Sequence, residues 1–279
     1  MKSKLFDYVD RDNVIYRLSG LTKLIGFICL TFSVMFSYDI RFVLAVMIAS
    51  VIILKMSEIT FRQVKLMVIY VIIFLGINFV LTYLFSPAYG TEIYGTKHVL
   101  LTFNSRYVIT EEQLLYQVTK TLKYASVVPL GMIFLLTTNP SEFASSLNRV
   151  GISYKGTYAL SLTLRYFPDM MRDYHDIALA QQSRGLDLSR KEKLGVRVKN
   201  SMDIFIPLLF STLNRIEVIS NAMDLRGFGK KKKRTWYSAD TLKKPDYIAI
   251  AFSVLVFCAS VYISMALNHS RFWNPFSSV

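Results

Sequence analysis

The sequence predicts an all-α, polytopic membrane protein of about five transmembrane helices, with an insertion that holds one short and two long amphipathic helices. Three observations predict it. Of 279 residues 53% are hydrophobic, including 20 Phe and 17 Tyr, which is too apolar for an ordinary soluble domain of this size. The apolar residues gather into runs of spanning or near-spanning length. Finally, 33 Lys plus Arg stand against 19 Asp plus Glu, a formal net charge of +14, and they fall between the apolar runs as the positive-inside rule describes.

The first 20 residues carry Asp7, Asp10 and Asp12 among the basic residues, with no small-residue cleavage site before the first apolar run. The first span is therefore expected to stay in the protein and not to leave as a signal peptide. Spans are expected at about residues 21–40, 42–57, 66–86, 113–138 and 246–267, against roughly 20 residues needed to cross the hydrocarbon core. The second is short and shares Lys55 with the interface by snorkelling. The fourth contains Lys120 and Lys123, so its outer end is expected to be wet or packed on protein. Between the third and fourth, residues 86–112 mix Pro87, Gly90, Gly95 and Asn104 with a β-prone run from Val99 to Val108, the pattern of a small hairpin. Cys29 and Cys258 sit in apolar runs near opposite ends of the chain and are read as packing residues.

Orientation follows from the basic residues. With the N-terminus inside, 27 Lys and Arg fall on the cytoplasmic side and only Arg41, Lys97, Arg106 and Arg271 outside. The N-terminus is thus expected in the cytoplasm and the C-terminus outside. The chain divides into a membrane part over 1–138 with four spans, a cytoplasmic region over 139–244, and a last span with an outer tail over 245–279.

Within that region a short helix is expected from Pro140-Ser141-Glu142, capped by Asn139 or Ser141, to about Val150 and ending at Gly151. Two further apolar stretches come after it, Tyr154–Met171 and Ile204–Ile219. The first holds Lys155, Arg165, Pro168 and Asp169, and the second is 16 residues with Pro207, Asn214, Arg215 and Glu217. Neither suits lipid. Both have helical periodicity instead: Leu160, Leu164, Phe167, Met171, Tyr174 and Ala178 in one, and Val198, Met202, Phe205, Leu209, Leu213, Ile216, Ile219 and Met223 in the other. Such helices can pair with each other, meet the membrane face of a partner, or lie on the bilayer. Their length favours a lever, since Tyr154 to Arg184 is 31 residues, roughly 46 Å of helix. Arg165, Pro168, Pro207 and Met223 are expected to support these two helices.

Both finish alike, with Ser183-Arg184-Gly185 and Leu225-Arg226-Gly227. A glycine at the end is free to take positive φ, and the arginine answers the negative end of the helix dipole. Two five-donor guanidinium heads at helix tips suit bidentate capture of carboxylates on another protein. The basic run Lys230–Arg234, followed by Trp236 and Tyr237, reads as an anchor on the anionic lipid bilayer. Nucleic acid is not expected as a partner, because no recognised binding fold accompanies the charge.

At these residues the chain resembles the transmembrane T component of energy-coupling factor transporters, the family of the cobalt-transporter membrane subunit. The likeness runs along nearly the whole chain. Leu18-Ser19-Gly20-Leu21-Thr22-Lys23-Leu24 stands where the family has an Asp-Pro-Arg-Thr-Lys stretch. Thr137-Thr138-Asn139-Pro140 with Leu147-Asn148-Arg149-Val150-Gly151 resembles its first coupling segment. Leu164-Arg165-Tyr166-Phe167-Pro168 resembles the start of its long coupling helix, and Asn221–Phe228 its Ala-Met-x-x-Arg-Gly-Phe signature. The resemblance implies a scaffold that joins two ABC-type ATPase subunits to a separate small membrane subunit, the S subunit, which binds a vitamin or metal. It implies coupling helices that cross, with tips docked on the ATPases so that closure driven by ATP moves the helices and tips the S subunit. Arg184 and Gly185 would meet one ATPase, and Arg226 and Gly227 the other. The chain departs from the family's Ala-Arg-Gly at Ser183 and Leu225.

Catalytic motifs are not found. Gly227-Phe228-Gly229-Lys230 has neither the spacing nor the hydroxyl of a nucleotide-binding loop. His98, His175 and His269 lie far apart, and no metal ligand set, cofactor site or catalytic residue is assigned. A self-contained permease would need ionisable or broken-helix sites at the midplane, and the spans offer little beyond Asn78, Lys120 and Lys123. A membrane enzyme would need a carboxylate cluster, whereas Asp169, Asp173 and Asp176 are scattered along one helix. A transport subunit of the bacterial or archaeal cell membrane is the reading that remains.

Overall fold

Lipid offers a backbone no hydrogen-bond partner, so a chain that enters it must satisfy its own N–H and C=O groups, and helices do this locally. The computed structural model is accordingly helical almost throughout; it describes residues 13–102, 108–186, 194–231, 236, 241–268 and 270–275. Asp7, Asp10, Asp12, Asn104, Arg106, His269, Tyr237 and residues 232–234 of the basic run lie outside the described residues. The chain forms two units, one from Met1–Asn139 with Asp240–Val279, the other Pro140–Ala239.

The first unit contains α1 (Gly20–Phe36), α2 (Ile40–Met56), α3 (Phe61–Phe85), α4 (Tyr89–Tyr94), β1 (Val99–Thr102), β2 (Val108–Thr110) and α5 (Glu111–Thr137). Among the described residues three helices are long and apolar enough to span a membrane, Val64–Phe85, Glu111–Thr137 and Lys244–Leu267, and Gly20–Phe36 is a shorter apolar helix. The first apolar run stops as a helix at Phe36 because Asp39 opens the next one, its carboxylate accepting the Arg41 N–H at 3.0 Å.

Helix α5 is the hub and packs against α1, α2, α3 and α4. Leu130 joins Val34, Val43 and Val46 in one buried cluster, and Met132 and Leu136 join Val64 in another. The rings of Phe27 and Phe134 stack with centroids 5.1 Å apart. Helix directions alternate along the chain. Lys23 meets Thr137 while Phe27 meets Phe134, so α1 and α5 are antiparallel; Ser126 reaches the Val43 carbonyl and Lys123 lies over Tyr38, so α2 and α5 are parallel.

The last long helix, residues Lys244–Tyr262 with a π-helical turn over Ile263–Leu267, lies parallel to α1. Small residues make the approach possible. Ser19, the N-cap of α1, with Gly26 and Ser33 on it, faces Asp246, Ser253 and Ser260 at seven-residue steps, with Ser260 Oγ donating to the Ser33 carbonyl at 2.9 Å. At the start of both helices the Asp246 carboxylate accepts the Ser19 N–H, the Thr22 hydroxyl and the Lys243 N–H, each at 2.8 Å. One anion therefore serves two helix N-termini. Next to it Lys23 Nζ donates to the Thr137 carbonyl at 2.7 Å and caps the C-terminal end of α5 with a cation. The Leu18–Leu24 stretch is thus a joint between three helix ends.

The opposite end is aromatic. Tyr38, Tyr89, Tyr94, Tyr116 and Phe272 stack or tilt on one another at 4.6–6.4 Å. Lys123 is 2% exposed, its Nζ 3.3 Å from the Tyr38 ring centre, so the expectation of a wet or protein-packed Lys resolves to packing. Lys120 donates to Thr82 Oγ1 at 2.8 Å. The tail closes this end through Tyr38 N–H to the Arg271 carbonyl and Asn274 to the Tyr94 carbonyl. Burial pushes the Tyr94 hydroxyl up to about 12, so it stays protonated at physiological pH.

The hairpin forms as the β-prone run predicts, β1 antiparallel to β2. The short helix α4 was not expected from the sequence. Its Gly90 lies against α5, donating to Gln113 Oε1 at 2.6 Å, and a Cβ there would stand 2.5 Å from Gln113 Cα and 2.7 Å from the Glu112 carbonyl oxygen. Those neighbours are backbone and cannot yield as a side chain would. Gly90→Ala is expected to force α4 off α5 and to destabilise the first unit by about 1–3 kcal/mol, read as a lowered thermal midpoint in detergent; an unchanged midpoint would contradict the packing.

Candidate functional site

The second unit is built from α6 (Pro140–Arg149), α7 (Tyr154–Ser183) and α8 (Leu194–Leu225). All three use the same turn. Gly151, Gly185 and Gly227 have φ of 116°, 90° and 68°. In each, the glycine N–H reaches back three residues and the next N–H five: Gly185 to Gln182 and Leu186 to Gln181 at 2.9 and 3.1 Å, Gly227 to Asp224 and Phe228 to Met223 at 2.9 and 3.0 Å, Gly151 to Asn148 and Ile152 to Leu147 at 3.1 Å. This is the Schellman arrangement, and it satisfies carbonyls a helix end would otherwise leave open. Arg184 and Arg226 occupy the same place in it, directly before the glycine, and both are exposed.

Contacts between α7 and α8 run antiparallel. Phe228, just past α8, packs on Tyr154 and Tyr158 at the start of α7, with ring centres 5.5 and 4.9 Å apart. Midway, Arg215 donates to Asp173 at 2.7 Å, and near the far end Gln181 Nε2 donates to the Asp203 carbonyl at 3.2 Å. The two arginine tips therefore lie at opposite ends of the pair, separated by the helices' length, about 45 Å at 1.5 Å per residue.

Pro207 explains the Gln181 contact. Proline has no N–H, so the carbonyl four residues earlier, that of Asp203, loses its donor within the helix, and the Gln181 side chain supplies one. Met223 is half-buried, and its carbonyl takes the Phe228 N–H at 3.0 Å. Arg165 and Pro168 are exposed on α7, away from both tips. Ser183 turns its hydroxyl back to the Leu179 carbonyl at 3.0 Å, whereas Leu225 is 90% exposed.

The apolar seams predicted for the two helices stay largely open: Phe167, Met171, Val198, Met202, Phe205, Leu213 and Ile216 are exposed. A groove of about 300 Å³ between α7 and α8 is lined by Tyr166, Phe167, Met170, Ile216, Ile219 and Met223. Sequence periodicity does not reveal the Asp173–Arg215 pair, the Gln181–Asp203 bond or the bond from Trp236 Nε1 to Asn148 Oδ1 at 3.1 Å. Opposite charges on two helices are visible in the sequence, yet only the antiparallel register pairs them. Among the described residues no group of His, Cys, Asp and Glu has the geometry of a metal site.

Residues 11–237 match the model of the family described as cobalt transport protein, CbiQ. The chain belongs to that family. The energy-coupling factor transporter transmembrane protein EcfT of Bacillus selenitireducens is 27% identical over 264 residues, 91% of this chain and 94% of that protein. EcfT of Limosilactobacillus fermentum is 36% identical over 97 residues, 35% of this chain and 36% of its own length. A putative ABC transporter ATP-binding protein of Bifidobacterium longum is 28% identical over 261 residues, 89% of this chain but 32% of that protein. The chain thus spans about a third of the latter two relatives and nearly all of the first. The relatives named EcfT are transmembrane proteins of energy-coupling factor transporters.

The glycine turns are testable in this chain alone. A Cβ at Gly185 meets nothing within 4 Å, so only backbone conformation opposes one. Gly185→Ala and Gly227→Ala are each expected to cost about 1 kcal/mol, and asparagine less. Hydrogen exchange should show the Leu186 or Phe228 amide exchanging faster in the corresponding variant; unchanged protection would contradict the assigned turns.

Proposed function

We propose that this chain is the transmembrane scaffold and coupling subunit of an ATP-driven energy-coupling factor importer. It joins two ABC-type ATPase subunits to a small substrate-binding membrane subunit that takes up a vitamin or metal. One observation carries the reading: two exposed Arg-Gly tips share one backbone geometry and stand at opposite ends of an antiparallel helix pair tied together along its length. A guanidinium held at a fixed helix end offers planar, paired donors to carboxylates on a docking surface. Ser183, Arg184 and Gly185 form one docking point, and Leu225, Arg226 and Gly227 the other.

Further support comes from the Bifidobacterium relative, which is named as an ATP-binding protein and carries a stretch similar to 89% of this chain within a single polypeptide. Chains joined in one protein commonly work against each other when separate. The alternating helix directions of the first unit, with the last helix parallel to α1, support five spans: α1, α2, α3, α5 and the final helix. At 17 residues α1 and α2 are about 26 Å long, near the lower limit for crossing. The distribution of basic residues favours a cytoplasmic N-terminus and an outer C-terminus in a bacterial or archaeal cell membrane.

ATP-driven closure brings the two ATPases together. Each tip moves with the ATPase that holds it, and the rigid α7–α8 pair converts that displacement into a shift of its exposed apolar face. That face is suited to the membrane-embedded surface of the substrate-binding subunit. Substrate chemistry belongs to that subunit.

Arg184→Ala or Arg226→Ala is expected to weaken ATPase docking by about 2–5 kcal/mol and to uncouple transport, with the membrane helices still folded. Co-purification of each variant with the ATPases checks this. An undiminished complex would remove the role assigned to the tips.

A further inference from the structure

Both tips carry the same turn, yet each is tied to the opposite helix by a side chain of its own end, and by different chemistry. We propose that the tips are braced crosswise, with Phe228 and Trp236 positioning Arg226 and with Gln181 positioning Arg184; this rests on the docking role proposed above. None of these side chains is assigned to contact an ATPase. They are positioning residues acting through the adjacent arginine.

At the Arg226 tip the brace is aromatic. The Phe228 N–H donates the last hydrogen bond of the turn that ends α8, to the Met223 carbonyl, which fixes Phe228 relative to the arginine two residues before it. That ring sits between Tyr154 and Tyr158, the first turns of α7. Trp236 then lies against Tyr158 at 6.1 Å and donates to Asn148 Oδ1. Asn148 in turn donates from Nδ2 to the Ile152 carbonyl, and its own carbonyl receives the Gly151 N–H. The Arg226 tip is therefore tied to the junction of α6 and α7.

At the Arg184 tip the brace is polar and depends on Pro207. Gln181 provides the carbonyl that receives both the Arg184 and the Leu186 N–H, so it belongs to the turn itself. Its side chain reaches the Asp203 carbonyl that Pro207 leaves without a ladder partner. The position after the glycine is here Leu186, an aliphatic residue that cannot stack, so the two tips cannot exchange braces. Holding a binding group in its bound position before the encounter removes part of the ordering cost of association.

The test uses the full-length chain in detergent with its cognate ATPase pair and measures ATPase affinity in two backgrounds. With Arg184→Ala only the Arg226 tip remains; with Arg226→Ala only the Arg184 tip remains. Phe228→Ala is expected to weaken binding about three- to tenfold in the first background and to leave the second unchanged, while Gln181→Ala does the reverse. Phe228→Tyr should restore affinity, and Trp236→Phe, which keeps a ring but loses the N–H, should act as a milder Phe228→Ala. If Phe228→Ala does not fold, Phe228→Leu takes its place. Equal losses in both backgrounds, or none in either, overturn crosswise bracing, because damage to the unit as a whole would affect both tips. If neither arginine change alone lowers affinity, the docking role fails first, and the bracing with it.

Discussion

A helix end leaves its last carbonyls without intrahelical donors, and the second unit supplies them three times with one glycine turn. The turn requires a residue of positive φ, which only glycine adopts at little cost, and it places the preceding residue at the very tip of the rod. In two of the three cases that residue is directly an arginine. A helix that must simply stop has thereby become a rigid mount for a guanidinium, and the positive charge also suits the negative end of the helix dipole.

The first unit solves a related problem with single charges. Asp246 is 2% exposed and Lys23 8% exposed, positions where an unpaired charge would be costly, yet neither is unpaired. The carboxylate gathers donors from the N-termini of α1 and the last helix, and the ammonium meets the C-terminus of α5. Opposite helix ends receive opposite charges, so the joint is electrostatically consistent as well as hydrogen-bonded. This joint holds the last helix to α1 although more than two hundred residues separate them in the chain. The seam of small residues above it lets the two backbones come close enough for the joint to form.

Much of this is legible in the sequence, and the remainder is hidden for identifiable reasons. Apolar runs locate the long helices described in the first unit, because a long run of apolar residues is the strongest local signal a sequence carries. Gly151, Gly185 and Gly227 mark three helix ends, since the turn chemistry is local. The pairing of Val99–Thr102 with Val108–Thr110 is signalled by a β-prone run that follows Gly90 and Gly95. Helix α4 leaves no such signal, because six residues carry too little periodicity. The role of Asp246 is equally hidden: its partners Ser19 and Thr22 stand at the other end of the chain, and register between distant helices leaves no trace in a single sequence. The same holds for Gln181 with Asp203: proline's missing donor is predictable, but which side chain replaces it is not. A motif marks the arginines, whereas the residues that hold them in place emerge only once α7 and α8 are paired.

Replacing Ser183 or Leu225 by a photo-reactive residue and irradiating the assembled transporter tests the central claim most directly. Each position neighbours an arginine without removing it. The account predicts adducts between both positions and ATPase subunits; adducts confined to lipid, to the substrate-binding subunit or to this chain itself would contradict it.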